Sequence, residues 1–267
     1  MTTTDASTRP PDTLEGRVAL VTGGGRGIGR AISLALGEDG ADVAVNYRRN
    51  REAAEATAAE LEAMGRRAGV YQCSIDSLED GTRMVEEVVA DLGPVDILVN
   101  NGGIASRGHS VADTDPAELE RVVRTHALGP HHLCALVLPL MRTRPRGDVV
   151  MISSVATDHM AGYGGPYNMG KAALEALALT LAKEERDHGV HVNIVAPGLV
   201  VTEMGDRLAK ATMGVEGASE LDAVSPFGRV CRPEDVADVV RYLVSGSAGY
   251  LTGQRVVVDG GGTAPRR

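Results

Sequence analysis

Short apolar runs recur along this chain, separated by stretches whose apolar residues return every three or four positions. Residues 18–21, 42–46, 69–72, 96–99, 148–152, 190–196 and 255–258 are the apolar runs. Brief and nearly continuous, they read as strands buried on both faces. Between them, 30–37, 51–64, 78–91 and 119–128 carry helical patterns, as does the run from Tyr167 onward, and Pro233-Glu234-Asp235 opens a helix with Val236, Val239, Val240, Leu243 and Val244 on one stripe. Strand and helix alternate, which predicts an α/β fold built on a doubly wound parallel sheet.

The first strand runs into Thr22-Gly23-Gly24-Gly25-Arg26-Gly27-Ile28-Gly29 and then a helix. Glycines let the backbone turn tightly and approach a diphosphate, and a helix N-terminus offers free N–H groups. The order strand, glycines, helix, strand therefore reads as a dinucleotide site, against the alternative of a mere tight turn. The second strand ends at Asn46-Tyr47-Arg48-Arg49, with no acid where an NAD site places one against the ribose 2'-hydroxyl. Arg48 or Arg49, together with Arg26, suits a 2'-phosphate, favouring NADP(H) over NAD(H); the alternative is solvated surface charge. The fourth strand ends at Asn100-Asn101-Gly102-Gly103, small residues that admit a ligand beside a switch point of such a sheet.

Tyr167 and Lys171 stand four apart on one helical face, and Ser154 ends the run that begins at Asp148. A phenol is a weak acid, with a pKa of ~10. A nearby ammonium favours the phenolate and so brings that value toward neutrality, while a serine hydroxyl can bond a substrate oxygen. Tyr-x-x-x-Lys also occurs by chance; its company in this chain gives it meaning.

Composition narrows the class. With 267 residues and 43% hydrophobic content the chain can build a large α/β domain, and the net charge of −9 argues against nucleic-acid binding. Nothing approaches the ~20 apolar residues of a membrane span. Residues 1–13 are polar and read as a disordered extension, and 263–267 as a short tail, leaving 14–262 as one catalytic domain. Cys73, Cys134 and Cys231 lack metal-ligand spacing and suggest reduced thiols in a cytoplasmic protein, with no metal.

Taken in order and at their spacing, these motifs resemble the short-chain dehydrogenase/reductase family, and in general character its 3-oxoacyl-acyl-carrier-protein reductases, over residues 14–262. The resemblance implies a Rossmann-like, seven-stranded parallel sheet with helices on both faces. Thr22, Gly23, Gly27 and Gly29 match the cofactor loop, Asn100 to Gly103 the Asn-Asn-Ala-Gly stretch with Gly102 in place of alanine, and Ser154, Tyr167 and Lys171 the catalytic trio. Pro197-Gly198 and Thr202 match the segment that holds the nicotinamide carboxamide. By the same resemblance Gly25, Ile28, Tyr47, Ile75, Asn101, Gly103 and Val200 join the cofactor site, and Lys171 holds the nicotinamide ribose.

Two positions depart from the family pattern. Ser74 stands where an aspartate usually meets adenine, and His126 stands where a catalytic asparagine positions a water. His126 falls on the inward stripe of Leu119, Val122, Val123 and Ala127, so it is either a hydrogen-bonded core residue or a relay group that adds an ionisation to the rate profile. The segment 203–230 has Gly205, Gly214 and Gly217 for flexibility and Met204, Leu208, Met213 and Phe227 to close over an apolar substrate. It reads as a lid, or else as a plain surface loop. Arg142, Arg144 and Arg146 would suit an acidic carrier protein, or are a solvated helix end.

The function expected is NAD(P)(H)-dependent reduction of a ketone to a secondary alcohol, with Tyr167 donating the proton and Ser154 bonding the carbonyl oxygen. The alternatives are an NAD-dependent alcohol dehydrogenase working oxidatively and a catalytically silent dinucleotide-binding sensor or scaffold. The apolar helix from Ala172 to Ala182 suggests burial on more than one side and a homodimer or homotetramer.

Overall fold

A computed structural model describes residues 13–262; the expected tails at 1–13 and 263–267 lie outside them apart from Thr13. The apolar runs become strands of one parallel sheet in the order β3-β2-β1-β4-β5-β6-β7. In chain order the elements are β1 (Val18–Val21), α1 (Gly27–Glu38), β2 (Asp42–Tyr47), α2 (Arg51–Ala63), β3 (Ala68–Gln72), α3 (Leu78–Asp91) and β4 (Ile97–Asn100). There follow α4 (Pro116–Val123), α5 (Gly129–Met141), β5 (Gly147–Ile152), α6 (Ala156–His159) and α7 (Gly165–Glu185). The last are β6 (Val190–Pro197), α8 (Glu203–Met213), α9 (Pro233–Val244) and β7 (Arg255–Val258). Every expected strand is present to within a residue or two.

The strands from β1 to β6 are largely apolar because each feeds two cores, whereas β7 packs Val256 and Val258 against one. Along β1, Val18 and Leu20 pack toward α3, α5 and α7, while Ala19 and Val21 pack toward α1 and α9; β4 and β5 alternate in the same way. Burying a Leu or Val side chain is worth ~1.5–3 kcal/mol, so a one-residue slip of register would cost the stabilisation on both faces at once. Parallel register aligns Val21 with Val45 on one side and Val99 on the other, which brings the carboxyl ends of β1, β2 and β4 to one edge. From β1 the chain winds to β2 in one direction and β4 lies in the other, so a crevice opens between their ends.

Three expectations are corrected here. The helix read at 119–128 starts at Pro116, passes through a π turn at Arg124–Leu128 and continues as α5. Pro130 has no N–H for the ordinary ladder, and Gly129 bonds back to Arg124 instead, which absorbs an extra residue. The segment 203–230 is not a glycine-loosened loop: α8 and two 3-10 turns fold over Ala209, Ala218 and Val230. Gly205 is there for packing, since a Cβ would stand 1.9 Å from the Val200 carbonyl oxygen. Finally, Arg142 pairs with buried Glu185, Arg144 with Asp96 and Arg146 with Asp148. The last two carboxylates lie beside the amino ends of β4 and β5. These arginines neutralise buried acids on the edge opposite the crevice and are neither a solvated helix end nor free for an acidic carrier.

Candidate active site

The turn after β1 is shaped by exclusion. Gly23 and Gly27 take left-handed φ of 63° and 51°, and a Cβ on Gly29 would stand 2.1 Å from the Gly23 carbonyl oxygen. Backbone, not side chain, therefore lines the entrance to α1, whose first turn holds no acidic residue. An anionic diphosphate fits such a cradle. Thr22 braces it: its Oγ1 accepts the N–H groups of Asn101 (2.9 Å) and Gly102 (2.8 Å), and Asn101 Nδ2 donates to the Thr22 carbonyl (2.8 Å). Asn46, buried at the end of β2, accepts the Gly23 N–H at 3.2 Å and gives its amide to the carbonyls of Tyr47, Tyr71 and Cys73. Across the crevice, Pro197 ends β6, Gly198 donates to Val258, and Thr202 caps α8 by accepting the Gly205 N–H at 3.0 Å. The Thr202 side chain reaches Gly27, where a Cβ would lie 3.3 Å from its methyl.

Farther out, Arg48, Arg49, Gln72, Cys73, Ser74, Asp80 and Arg83 line a cleft of about 370 Å³. Arg26 does not join them: its Nη1 lies 2.9 Å from Glu203 Oε2 at the start of α8, both groups exposed. Ser74 gives its hydroxyl to Asp76 at 2.5 Å, so a carboxylate absent at position 74 stands two residues on. Ile75 is buried, with its Cδ1 2.9 Å from where a Cβ on Gly102 would stand.

Ser154, Tyr167 and Lys171 come together. Ser154 follows β5; its hydroxyl accepts the Ala156 N–H at 3.1 Å and acts on the Tyr167 phenol to lower its pKa. Lys171 is 4% exposed, donates to the Ile152 carbonyl at 2.6 Å and lies 5.8 Å from the Tyr167 ring centre. Burial pushes the lysine down to about 8, the Glu175 carboxylate opposing. The Tyr167 phenol is pushed above its ordinary value by burial, with the Ser154 bond opposing. The lowering expected from Lys171 is not seen: desolvation dominates, since a buried phenolate loses more hydration than the Ser154 hydroxyl returns.

His126 points inward as its stripe requires. It is 1% exposed in the π turn, with Nε2 2.7 Å from the Ile104 carbonyl oxygen and its ring edge-on to Tyr167 at 5.2 Å. Burial and Lys171 push it down to about 3, so the imidazole stays neutral and the extra ionisation expected near neutrality is displaced far to acid. Nδ1 is buried and has no hydrogen-bond partner among the described residues. Glu175 went unnoticed in the sequence although it continues the Tyr167, Lys171 spacing by another four; the helical stripe was the available signal. Arg83 and Asp80 had none, because their place at the cleft depends on how α3 leaves β3.

Among the described residues no cluster of His, Cys, Asp or Glu could hold a metal, and no helix is long and apolar enough to cross a membrane. A family model described as enoyl-(acyl carrier protein) reductase matches residues 23–263. Versicolorin reductase 1 of Aspergillus parasiticus is 37% identical over 93% of this chain and 97% of its own length. The 3-oxoacyl-acyl-carrier-protein reductase of Staphylococcus aureus is 35% identical over 91% and 96%. Among solved structures, a short-chain type dehydrogenase/reductase from Mycobacterium marinum superposes with a TM-score of 0.85 at 30% identity over 95% of this chain and 98% of its own. A 7 alpha-hydroxysteroid dehydrogenase complexed with NADH and 7-oxo glycochenodeoxycholic acid gives 0.85 at 29% identity over 95% and 96%. The chain belongs to the short-chain dehydrogenase/reductase family of NAD(P)-dependent oxidoreductases.

Proposed function

We propose that this chain reduces a ketone to a secondary alcohol with NADPH, Ser154, Tyr167 and Lys171 being its catalytic residues. The observation that carries this reading is that Ser154 and Tyr167 come together beside a buried ammonium. When bound, the cofactor supplies the hydride. Ser154 offers its hydroxyl to the carbonyl oxygen as negative charge gathers there, and Tyr167 gives that oxygen a proton. A phenol held above its ordinary pKa is protonated at neutral pH and so can serve as the acid of the reduction. Lys171, anchored on Ile152, holds positive charge near the phenol and would hold the nicotinamide ribose. His126 keeps the Ile104 backbone and the Tyr167 ring in place as a neutral group.

The glycine turn with Ile28 would hold the diphosphate, Tyr47, Ser74 and Ile75 the adenosine, and Pro197, Gly198, Val200 and Thr202 the carboxamide end. Arg48 and Arg49, in one cleft with Arg83, support NADPH over NADH. The relatives' names span versicolorin, 3-oxoacyl and 7-oxo steroid chemistry; what they share is a carbonyl, the group on which Ser154 and Tyr167 act. The segment 203–230 would close over the substrate as an apolar lid, a reading that the exposed Leu208, Met213 and Phe227 support. Three free thiols, two of them buried, support a reducing cytoplasmic setting.

The test is Tyr167→Phe, titrated with NADPH and NADH by nicotinamide fluorescence and assayed on a ketone panel. Nucleotide binding should be kept, tighter for NADPH, and turnover lost. Retention of more than a few per cent of activity contradicts the assignment of Tyr167, and tighter NADH makes Arg48 and Arg49 ordinary surface charge.

A further inference from the structure

Ser154 stands at the start of a short irregular stretch between β5 and α7, and two charged side chains from elsewhere in the fold close on that stretch. Arg255, the first residue of β7, spreads its guanidinium over four groups. Its Nη2 donates to the Ser154 carbonyl (3.3 Å), Thr157 Oγ1 (2.8 Å) and Asp158 Oδ2 (2.9 Å), and its Nε donates to Glu175 Oε1 (2.9 Å). Glu175, one helical turn beyond Lys171, accepts the Ser153 hydroxyl on the same oxygen at 2.5 Å and lies 2.8 Å from Thr157 Oγ1. Thr157 Oγ1 is also 2.9 Å from the Ser154 carbonyl oxygen. The side chains of Arg255 and Glu175 are 22% and 16% exposed.

We propose that Arg255 and Glu175 are positioning residues for the reaction: a forked ion pair joining β7 to α7 that fixes the backbone of Ser154 against Tyr167 and Lys171, an inference that rests on the roles given above to Ser154 and Tyr167. An exposed ion pair contributes little, but this one is mostly buried, donates from both Nε and Nη2 of the guanidinium and engages the residues before, at and after the serine. Glu175 shares α7 with Tyr167 and Lys171, whereas Ser154 does not. Within this network the chain links the two catalytic segments through Glu175, Thr157 and Arg255. Ser154 carries its hydroxyl on a single rotatable bond, so the backbone that the pair holds sets where the hydroxyl points.

The experiment compares wild type, Arg255→Met, Arg255→Lys, Glu175→Gln, Thr157→Val and the double variant Arg255→Met/Glu175→Gln. Each is assayed with NADPH and either 9,10-phenanthrenequinone or ethyl acetoacetate, beside NADPH titrations and thermal unfolding. A displaced reacting group costs on the order of 10²-fold in rate, so kcat should fall ~10- to 100-fold in Arg255→Met and Glu175→Gln. The KM for the ketone and the NADPH dissociation constant should stay within about threefold, the signature of an interaction needed in the transition state and not in binding. Arg255→Lys should recover part of the loss, Thr157→Val should lose less, and the double variant should be no worse than the poorer single one. A kcat unchanged within about twofold, or a loss that tracks weaker NADPH binding or a lower unfolding temperature across the set, overturns the proposal. Tyr167→Phe is run alongside: if it stays active, the reading of the site has failed; if it is dead while Arg255→Met is normal, only the positioning role has.

Discussion

Burial acts on Lys171 and Tyr167 in opposite senses: it favours the neutral amine and the neutral phenol alike, so the lysine falls to about 8 while the tyrosine rises. The order of proton loss follows. On raising the pH the ammonium goes first, while the phenol is still protonated. The alkaline limb of kcat/KM for NADPH, which reports the free enzyme, should therefore have its midpoint near 8 and belong to Lys171. Activity is full below that pH and lost above it. Because the Glu175 carboxylate raises the lysine's value, Glu175→Gln should move the limb to lower pH; a limb that stays put, or one lying above 10, assigns it to Tyr167. In the sequence, the spacing of Tyr167 and Lys171 and the strand end at Ser154 were readable because helix and strand periodicity are local. The sign of the shift on Tyr167 was not, since desolvation depends on what covers a residue. The same holds for Arg26, which the sequence groups with Arg48 and Arg49 and the fold gives to Glu203.

At the scale of elements, the π turn between α4 and α5 carries His126 into a slot that two glycines leave open. A Cβ on Gly103, in the loop after β4, would stand 2.7 Å from His126 Cε1, and one on Gly170, in α7, would stand 2.8 Å from His126 Cβ. The first contact involves only the far end of the ring. Gly103→Ala should therefore destabilise the protein by ~1–3 kcal/mol through overpacking. In a His126→Asn background, where no ring reaches that far, the same substitution should be close to neutral. A urea-unfolding cycle over the four proteins measures the coupling, and additive effects would show that the ring does not fill the space beside Gly103. The sequence showed that His126 faces inward but not what meets it, because β4, the π turn and α7 are far apart in the chain. It also hid α5, whose Gly129-Pro130 start reads as a stop, and α8, whose Gly205 reads as looseness although it allows close contact with Val200.

For the whole molecule, the parallel strands and their two-sided burial were legible because such strands are apolar on both faces, and the edge of the sheet that carries the site followed from the motifs at their carboxyl ends. What a single chain leaves uncovered was less plain. The helix α7 was expected to be buried on more than one side, yet Leu174, Ala178, Leu181 and Ala182 face the core while Ala173, Ala176 and Leu179 lie open. Beside them His131, Cys134, Ala135 and Leu138 of α5 and Leu177 and Leu181 of α7 border a cleft of about 240 Å³. An apolar face along a 21-residue helix next to a groove is enough to seed an interface of the ~1,200–2,000 Å² that stable association buries. The chain should thus have two or four times its own mass in light scattering. Leu179→Arg, which places a charge in the middle of that face and touches neither core, should shift the mass toward one chain while the circular dichroism spectrum stays unchanged. A wild type that scatters as a single chain would leave α7 half bare and overturn the assembly. An oligomer indifferent to Leu179→Arg would move the interface elsewhere, with Tyr242, Tyr250 and Val257 around α9 and β7 as the next exposed apolar surface to alter.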